Sequence, residues 1–440
     1  MEFPSRSNMY RLVILLVTAV VARTENMECI VIPSSGDAFC SNISLPNIPA
    51  RLPPYVRNLD ISYNQIPVLV SHGFIDANLL GLESVDASFC GINNIEEGAF
   101  KGMNKLQTLN ISDNKIEQIK PLAFHDTTIQ ILYLERNCLG VLEPRAFQGL
   151  DNSLEKLYLS GNQITTIHPG AFEGLKYLTE LHLQSNMIMA FRSATFSGLP
   201  KLTYLSASNN TLHIIDPDAF MGASMIEEVY LDHNIIGSIR IKALNGLSNM
   251  KTLDLSFNKL KSLSSTMFEG LTSLSRLVLH NNNIQNISKR SFSTLRDNLV
   301  FLDISHNPIG HVNPETFYLP QLAYLDLSGC RVKNISSSTF NKFASFSAEK
   351  SLTLILNECI VDCDCGLQSL WETCKSTQSY VDCIGEPVCD SPDIISGQDW
   401  RVFHTQNCAI LAMSSSSSES TKYSFIVALA FSVLLAVEML

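Results

Sequence analysis

A repeat of about 24 residues runs through most of this chain and restricts its fold more than any other feature. The stretch 154–172, LEKLYLSGNQITTIHPGAF, shows the unit. Leu154, Leu157, Leu159, Asn162, Ile164 and Ile167 fill the slots of L-x-x-L-x-L-x-x-N-x-L-x-x-I, and Phe172 follows ten residues after the asparagine. The asparagine slot recurs at Asn64, Cys90, Asn114, Asn137, Asn162, Asn186, Asn210, Asn234, Asn258, Asn282, Asn307, Cys330 and Asn357, at spacings of 23 to 27 residues. Ten residues past the slot stand Phe74, Phe100, Phe124, Phe147, Phe172, Phe196, Phe220, Phe268, Phe292, Phe317 and Phe340, with Leu244 taking the position once. One such unit cannot bury its own apolar side chains. It makes sense as a coil stacked in an array, a period that unrelated helices or strands would not keep.

These residues resemble the leucine-rich repeat family in its 24-residue extracellular form, over residues 56–357 and about 13 repeats. The resemblance implies an α/β solenoid, a curved horseshoe with a parallel concave sheet. Each L-x-L, such as Leu157-Tyr158-Leu159, is expected to form a short strand with its leucines inward and the middle residue outward. The asparagine carries both donors and an acceptor, so it can bridge backbone groups of adjacent coils. Cys90 and Cys330 bring only an S–H donor to that slot. The phenylalanines are expected to stack as a spine on the convex side, and strands about 4.8 Å apart would make a concave sheet roughly 60 Å long.

The ends of the chain carry different signals. Residues 1–22 read as a secretory signal peptide: Arg6 and Arg11 precede the apolar run 12–21, with Val20 and Ala22 at the positions a signal peptidase inspects. An oxidising compartment turns the twelve cysteines into a pairing problem. Residues 23–55 are expected to form an N-terminal cap closed by Cys29 and Cys40, where the family's common cap has four cysteines. Residues 358–408 are expected to form a C-terminal cap, with the spacing Cys363-x-Cys365-x23-Cys389-x18-Cys408. That spacing resembles the C-terminal flanking module of Toll-like receptor ectodomains. The resemblance implies pairs Cys363–Cys389 and Cys365–Cys408, with Leu367, Leu370 and Trp371 beneath the last coil. Cys374 and Cys383 are expected to pair with each other. Cys90, Cys330 and Cys359 read as buried free thiols, with a Cys330–Cys359 bridge as the alternative, and the state of Cys138 stays open. A zinc site is disfavoured by spacing and compartment, so no metal and no cofactor are expected.

Residues 409–422 form a Ser-rich linker, and residues 423–440 an apolar tail with no Lys or Arg beyond it. This pattern matches a glycosylphosphatidylinositol signal with attachment near Ser414, Ser415 and Ser416, and places the protein on the outer face of the plasma membrane. A retained single-pass helix or a secreted form are the alternatives. With no signalling domain inside the cell, a transmembrane co-receptor is the expected route for any signal. Sequons for N-glycosylation occur at Asn42, Asn110, Asn209, Asn286 and Asn334.

The net charge of -11 and the absence of clustered Lys and Arg argue against a nucleic-acid partner. No G-x-S-x-G, H-E-x-x-H or phosphate-cradling glycine loop appears, so the chain reads as a binding protein and not an enzyme. The outward strand positions differ along the array. Its ends repeat L-D-L-S, whereas the middle carries Tyr133, Tyr158, His182 and Tyr230, flanked by Glu135, Arg136, Gln184, Tyr204, Asp232 and His233. Tyrosine and arginine are enriched at interface hot spots, which makes these ten the candidate ligand site. The expected partner is an extracellular protein or glycan. The readings are innate-immune recognition or a co-receptor role, then cell adhesion or axon guidance, then a matrix protein or decoy. Homodimerisation is compatible with the face but demanded by no residue.

Overall fold

The computed structural model describes residues 20–24, 27–310, 312–313, 315–333, 335, 352–376 and 381–404. The predicted linker, lipid-attachment serines and apolar tail lie outside these residues, as do Asn334, Phe340 and Cys408. The chain divides into two compact units, Met1–Asp254 with Glu269–Thr272, and Leu255–Phe268 with Ser273–Leu440.

In both units the repeat becomes a solenoid of short parallel strands with few helices. The first unit carries nine coil strands, at Asn58–Asp60, Ser84–Asp86, Thr108–Asn110, Ile131–Tyr133, Lys156–Tyr158, Glu180–His182, Tyr204–Ser206, Glu228–Tyr230 and Thr252–Asp254. Each pairs in register with the next, so that Leu132, Leu157, Leu181, Leu205 and Val229 align as one buried row. The second unit repeats the arrangement at Arg276–Val278, Phe301–Asp303, Tyr324–Asp326 and Leu352–Ile355. The strands begin and end one residue earlier than the L-x-L pattern predicts. Lys156 and Tyr158 are the outward pair around Leu157, and Leu159 is buried just after the strand.

The asparagines explain why the coils stack. Asn162 is buried, donates from Nδ2 to the carbonyls of Leu134 at 2.9 Å and Leu159 at 3.0 Å, and accepts from the Leu139 N–H at 3.1 Å. It therefore ties its own coil to the preceding one. Asn114, Asn186, Asn210 and Asn234 make equivalent bonds. Immediately before the slot the chain turns through a left-handed residue in coil after coil, for example Asp113, Arg136, Gly161, Ser185, Asn209 and His233. Cys90 fills its slot with Sγ facing the Ile61 carbonyl at 3.0 Å and the Ser88 carbonyl at 3.5 Å, and burial pushes its thiol up to about 11. Cys330 and Cys359 are buried free thiols, and the alternative bridge between them is not formed. Each sulfur instead faces a carbonyl of a preceding coil, Ile304 for Cys330 and Leu327 for Cys359. Cys138 is also free and half-buried.

On the other side, the phenylalanines form the expected spine. Phe147, Phe172 and Phe196 stack at 6.1 and 6.3 Å between centroids, and Phe268, Phe292 and Phe317 at 6.1 and 6.2 Å. Turns carry most of the return path, with two-residue ladders such as Val141–Leu142 on Thr166–Ile167. Asn286 begins one of these strands, Asn286–Ile287.

Disulfides lie near both ends of the described chain. Strands Val20–Thr24, Met27–Ile32 and Asp37–Phe39 run antiparallel, the last pairs parallel to Asn58–Asp60, and Cys29 bonds Cys40. Val20–Thr24 crosses the predicted signal boundary at 22. At the other end, Asp364 caps helix Cys365–Lys375 by accepting from the Leu367 N–H at 2.9 Å. Leu367 and Leu370 are buried, and Trp371 lies 6.4 Å from the Phe403 ring. Cys363 bonds Cys389 and Cys374 bonds Cys383, both as expected. Cys365 is disulfide-bonded as well.

Candidate functional site

The middle coils of the first unit place five rings in one line across the strands. Tyr133 and Tyr158 are hydrogen-bond-register neighbours with centroids 4.7 Å apart and planes within 13°. Tyr158 stacks on His182 at 4.5 Å. The next position in that row is Ser206, which is small and buried. Tyr204, two residues earlier on the same strand, fills the space it leaves and meets His182 at 5.0 Å and Tyr230 at 5.5 Å. The result is an uninterrupted, half-buried ladder, Tyr133–Tyr158–His182–Tyr204–Tyr230.

Strand alternation adds residues that reading only the middle position missed. Positions two apart share a face, so Lys156, Glu180 and Glu228 stand beside the rings. Starting each strand one residue earlier would have found them. Lys156 Nζ lies 2.7 Å from Glu180 Oε1, and Glu228 accepts from the Tyr230 hydroxyl at 2.9 Å. Burial pushes the Glu180 carboxyl up, but the Lys156 ammonium outweighs it and holds the group below its ordinary value. Burial also lowers His182, against the opposing pull of the Glu180 carboxylate. Tyr158 and Tyr204 are raised by burial, and Tyr230 is pushed up to about 12 by burial and by Glu228. Burial thus favours the uncharged forms of Tyr158, His182, Tyr204 and Tyr230.

A second row lies two residues past the strands. There Gln184 Oε1 and Ser160 Oγ are buried without a hydrogen-bond partner, as is His182 Nε2, which lies 3.6 Å from Glu180 Oε2. Glu135, in the same row, has its carboxyl raised by burial. Asp232 accepts from Ser208 Oγ and sits 2.9 Å from His233 Nδ1. Arg136 and His233 occupy the left-handed turns, and Arg136 is engaged in a two-pronged 2.6 Å pairing with Asp113. The structure therefore unites eight of the ten candidates on the sheet face and leaves Arg136 and His233 exposed at its turn edge.

The coils outside this region look different for a physical reason. In the L-D-L-S type, the outward side chain is consumed locally: Asp60 Oδ1 accepts from both the N–H and the hydroxyl of Ser62, and Asp303 does the same with Ser305. Asn110 behaves alike toward Ser112. Asn110 is also the strand partner of Tyr133, so a glycan on its Nδ2 would border the ladder. Among the described residues no group of His, Cys, Asp and Glu is arranged to hold a metal. A shallow dent lined by Ile48, Val68, Val70 and Gly73 lies far from these rings in the chain's first coils.

Comparison with known proteins adds the following. The profile of the family described as leucine rich repeat matches residues 80–129, 127–188, 176–236, 224–284 and 272–332. The human leucine-rich repeats and immunoglobulin-like domains protein 1 is 30% identical over 194 residues, 39% of this chain and 18% of that protein. The human leucine-rich repeat-containing protein 3B is 37% identical over 100 residues, 22% of this chain and 38% of its own length. The chain thus spans well under half of these relatives. Among solved structures, a chain of the Drosophila Toll–Spatzle complex superposes with a TM-score of 0.64 at 19% identity, covering 81% of this chain and 52% of that one.

Proposed function

Because the chain belongs to the leucine-rich repeat family, we propose that it is an extracellular recognition protein that binds a protein ligand through the ring ladder of its first unit. The observation that carries this reading is the continuous, half-buried five-ring ladder itself. Stacked, uncharged tyrosines offer large rigid contact area. The Toll chain that shares this fold is seen in complex with Spatzle. Recognition of microbial or host surface molecules, with a transmembrane co-receptor for signalling, is the role we carry forward. Clustering of cells that express the protein would favour adhesion instead, and glycan-array binding would favour a carbohydrate ligand.

Tyr158→Ala and Tyr230→Ala are each expected to weaken ligand binding about tenfold or more, read by surface plasmon resonance with the fold checked by circular dichroism. Binding unchanged in the double variant would remove the ladder from the site.

Three described disulfides fit a secreted protein. Among the described residues no helix is long and apolar enough to cross a membrane. The Ser-rich segment and apolar tail support a lipid anchor near Ser414–Ser416. Phosphatidylinositol-specific phospholipase C is expected to release the protein from intact cells. Retention would favour a spanning tail, and protein already in the medium a matrix or decoy role.

A further inference from the structure

At the turn edge of the first coils, three successive residues share one backbone geometry. Asn42, Tyr63 and Phe89 have φ of 54°, 56° and 54°. Asn42 N–H donates to the Ser62 carbonyl at 3.0 Å, Tyr63 N–H to Ser88 at 3.0 Å and Phe89 N–H to Ser112 at 3.3 Å. The three are therefore equivalent rungs about 4.8 Å apart, with their side chains leaving the backbone in the same direction. In later coils this position holds Asp113, Arg136, Gly161, Ser185, Asn209, His233, Phe257, Asn281 and His306, most of them glycine or polar types. A bulky aromatic is disfavoured there. Yet two stand side by side, 55% and 44% exposed, with rings stacked at 4.5 Å and planes within 6°. Exposed aromatics held at a backbone cost mark a surface that has an occupant.

The occupant is indicated by the third rung. Asn42-Ile43-Ser44 is a sequon, and Asn42 is exposed. Phe89 covers one face of Tyr63, and the backbone order of the rungs puts the Asn42 turn on the side of Tyr63 away from Phe89. We propose that Asn42 carries an N-linked glycan whose first N-acetylglucosamine lies on the free face of Tyr63, extending the Tyr63–Phe89 stack as its third ring. The bond is made when Asn42 Nδ2 attacks the anomeric carbon of a lipid diphosphate-linked oligosaccharide. The N–C bond forms, the carbon–oxygen bond to the diphosphate breaks, the lipid diphosphate leaves, and the amide gives up one proton. The apolar C–H face of the sugar then meets the ring face of Tyr63. The inference rests on the reading of the chain as a secreted protein.

The test uses the full chain made in cells that build only high-mannose glycans, with carbon-13 in the acetyl groups of its N-acetylglucosamine. Endoglycosidase H trims each glycan to one sugar, and Asn42→Gln identifies the Asn42 signal. In the native protein that acetyl methyl is expected upfield of those at the other sequons, shifted by the Tyr63 ring current. It should return to their position in Tyr63→Asn/Phe89→Asn, which places at both sites the residue type that Asn209 shows the turn accepts. Loss of the Asn42 glycan should lower the melting temperature by about 2 °C or more in the native background and leave the double variant unchanged. An occupied Asn42 with an unshifted methyl, or equal melting changes in both backgrounds, would overturn the docking. An unoccupied Asn42 beside other glycosylated sequons would overturn it too, whereas a chain with no glycan at all would overturn the secretory reading with it.

Discussion

Asn162→Ala is expected to destabilise the first unit by about 2 kcal/mol, on the basis that an orphaned buried polar group costs about 1–3 kcal/mol. The N–H of Leu139 loses its partner, and the carbonyls of Leu134 and Leu159 each lose one of two donors, keeping Asn137 and Asn186 Nδ2 respectively. Water cannot replace the side chain, because the asparagine is only 6% exposed. Two of those groups belong to the preceding coil, so the change weakens the junction between neighbours more than either coil alone. In a solenoid, stability is a sum of coil and nearest-neighbour contributions. The urea transition, followed by far-ultraviolet circular dichroism, should therefore fall in midpoint and broaden or split. Asn162→Asp keeps the acceptor for Leu139 but removes the two donations, and should fall between alanine and the native residue only at acidic pH, where the carboxyl can donate once. A shift under about 1 kcal/mol for Asn162→Ala would show that the ladder contributes little beyond the strands.

Phe172→Ala is expected to cost about 3–5 kcal/mol, the range for removing a fully buried aromatic side chain. The ring is enclosed on both sides, stacked on Phe147 and on Phe196 with planes within 7° and 2°. A stack held between rigid coils cannot collapse around the gap, which puts the expected loss toward the upper end. The chain supplies its own control. Leu244 occupies the equivalent slot and is 2% exposed, so Phe172→Leu should cost only about 1.5 kcal/mol. Thermal melting of the two variants reads the difference directly. Equal loss for leucine and alanine would mean that ring stacking, and not filled volume, holds the spine.

Several features of the fold were legible because stacking forces each coil to reuse the same chemistry. A slot that must both donate and accept across a coil junction selects asparagine, and a fixed gap on the far side selects phenylalanine, so both recur at one period. That cysteines would pair near the two ends was legible because an array has two open ends and the cysteines cluster there, whereas the specific pair Cys363–Cys389 was implied by the resemblance to Toll-like receptor flanking modules and not by spacing. The candidate site was legible only in part. Tyr133, Tyr158, His182 and Tyr230 stood out because they break the L-D-L-S pattern. That Asp60 and Asp303 are consumed by Ser62 and Ser305, leaving the middle coils as the ones with free chemistry, follows from hydrogen bonds that spacing does not display. Tyr204 was grouped with the site by proximity, but its place in the ladder depends on the small Ser206 beside it. Lys156, Glu180 and Glu228 were hidden by a one-residue offset in where the strands begin.

The sequence by itself determined the solenoid and its buried rows, because a period of 24 residues is a statement about neighbours in an array. The tertiary structure decided what neighbouring coils do with the positions that the period leaves open. It set the five-ring ladder from residues of two different rows, the Lys156–Glu180 pairing, the separate fates of Cys330 and Cys359, and the alignment of Asn42 with Tyr63 and Phe89. Each of these depends on side-chain direction and on distances across a coil junction. A one-dimensional repeat specifies which residues are adjacent in that sense, and only the folded chain sets which of them touch.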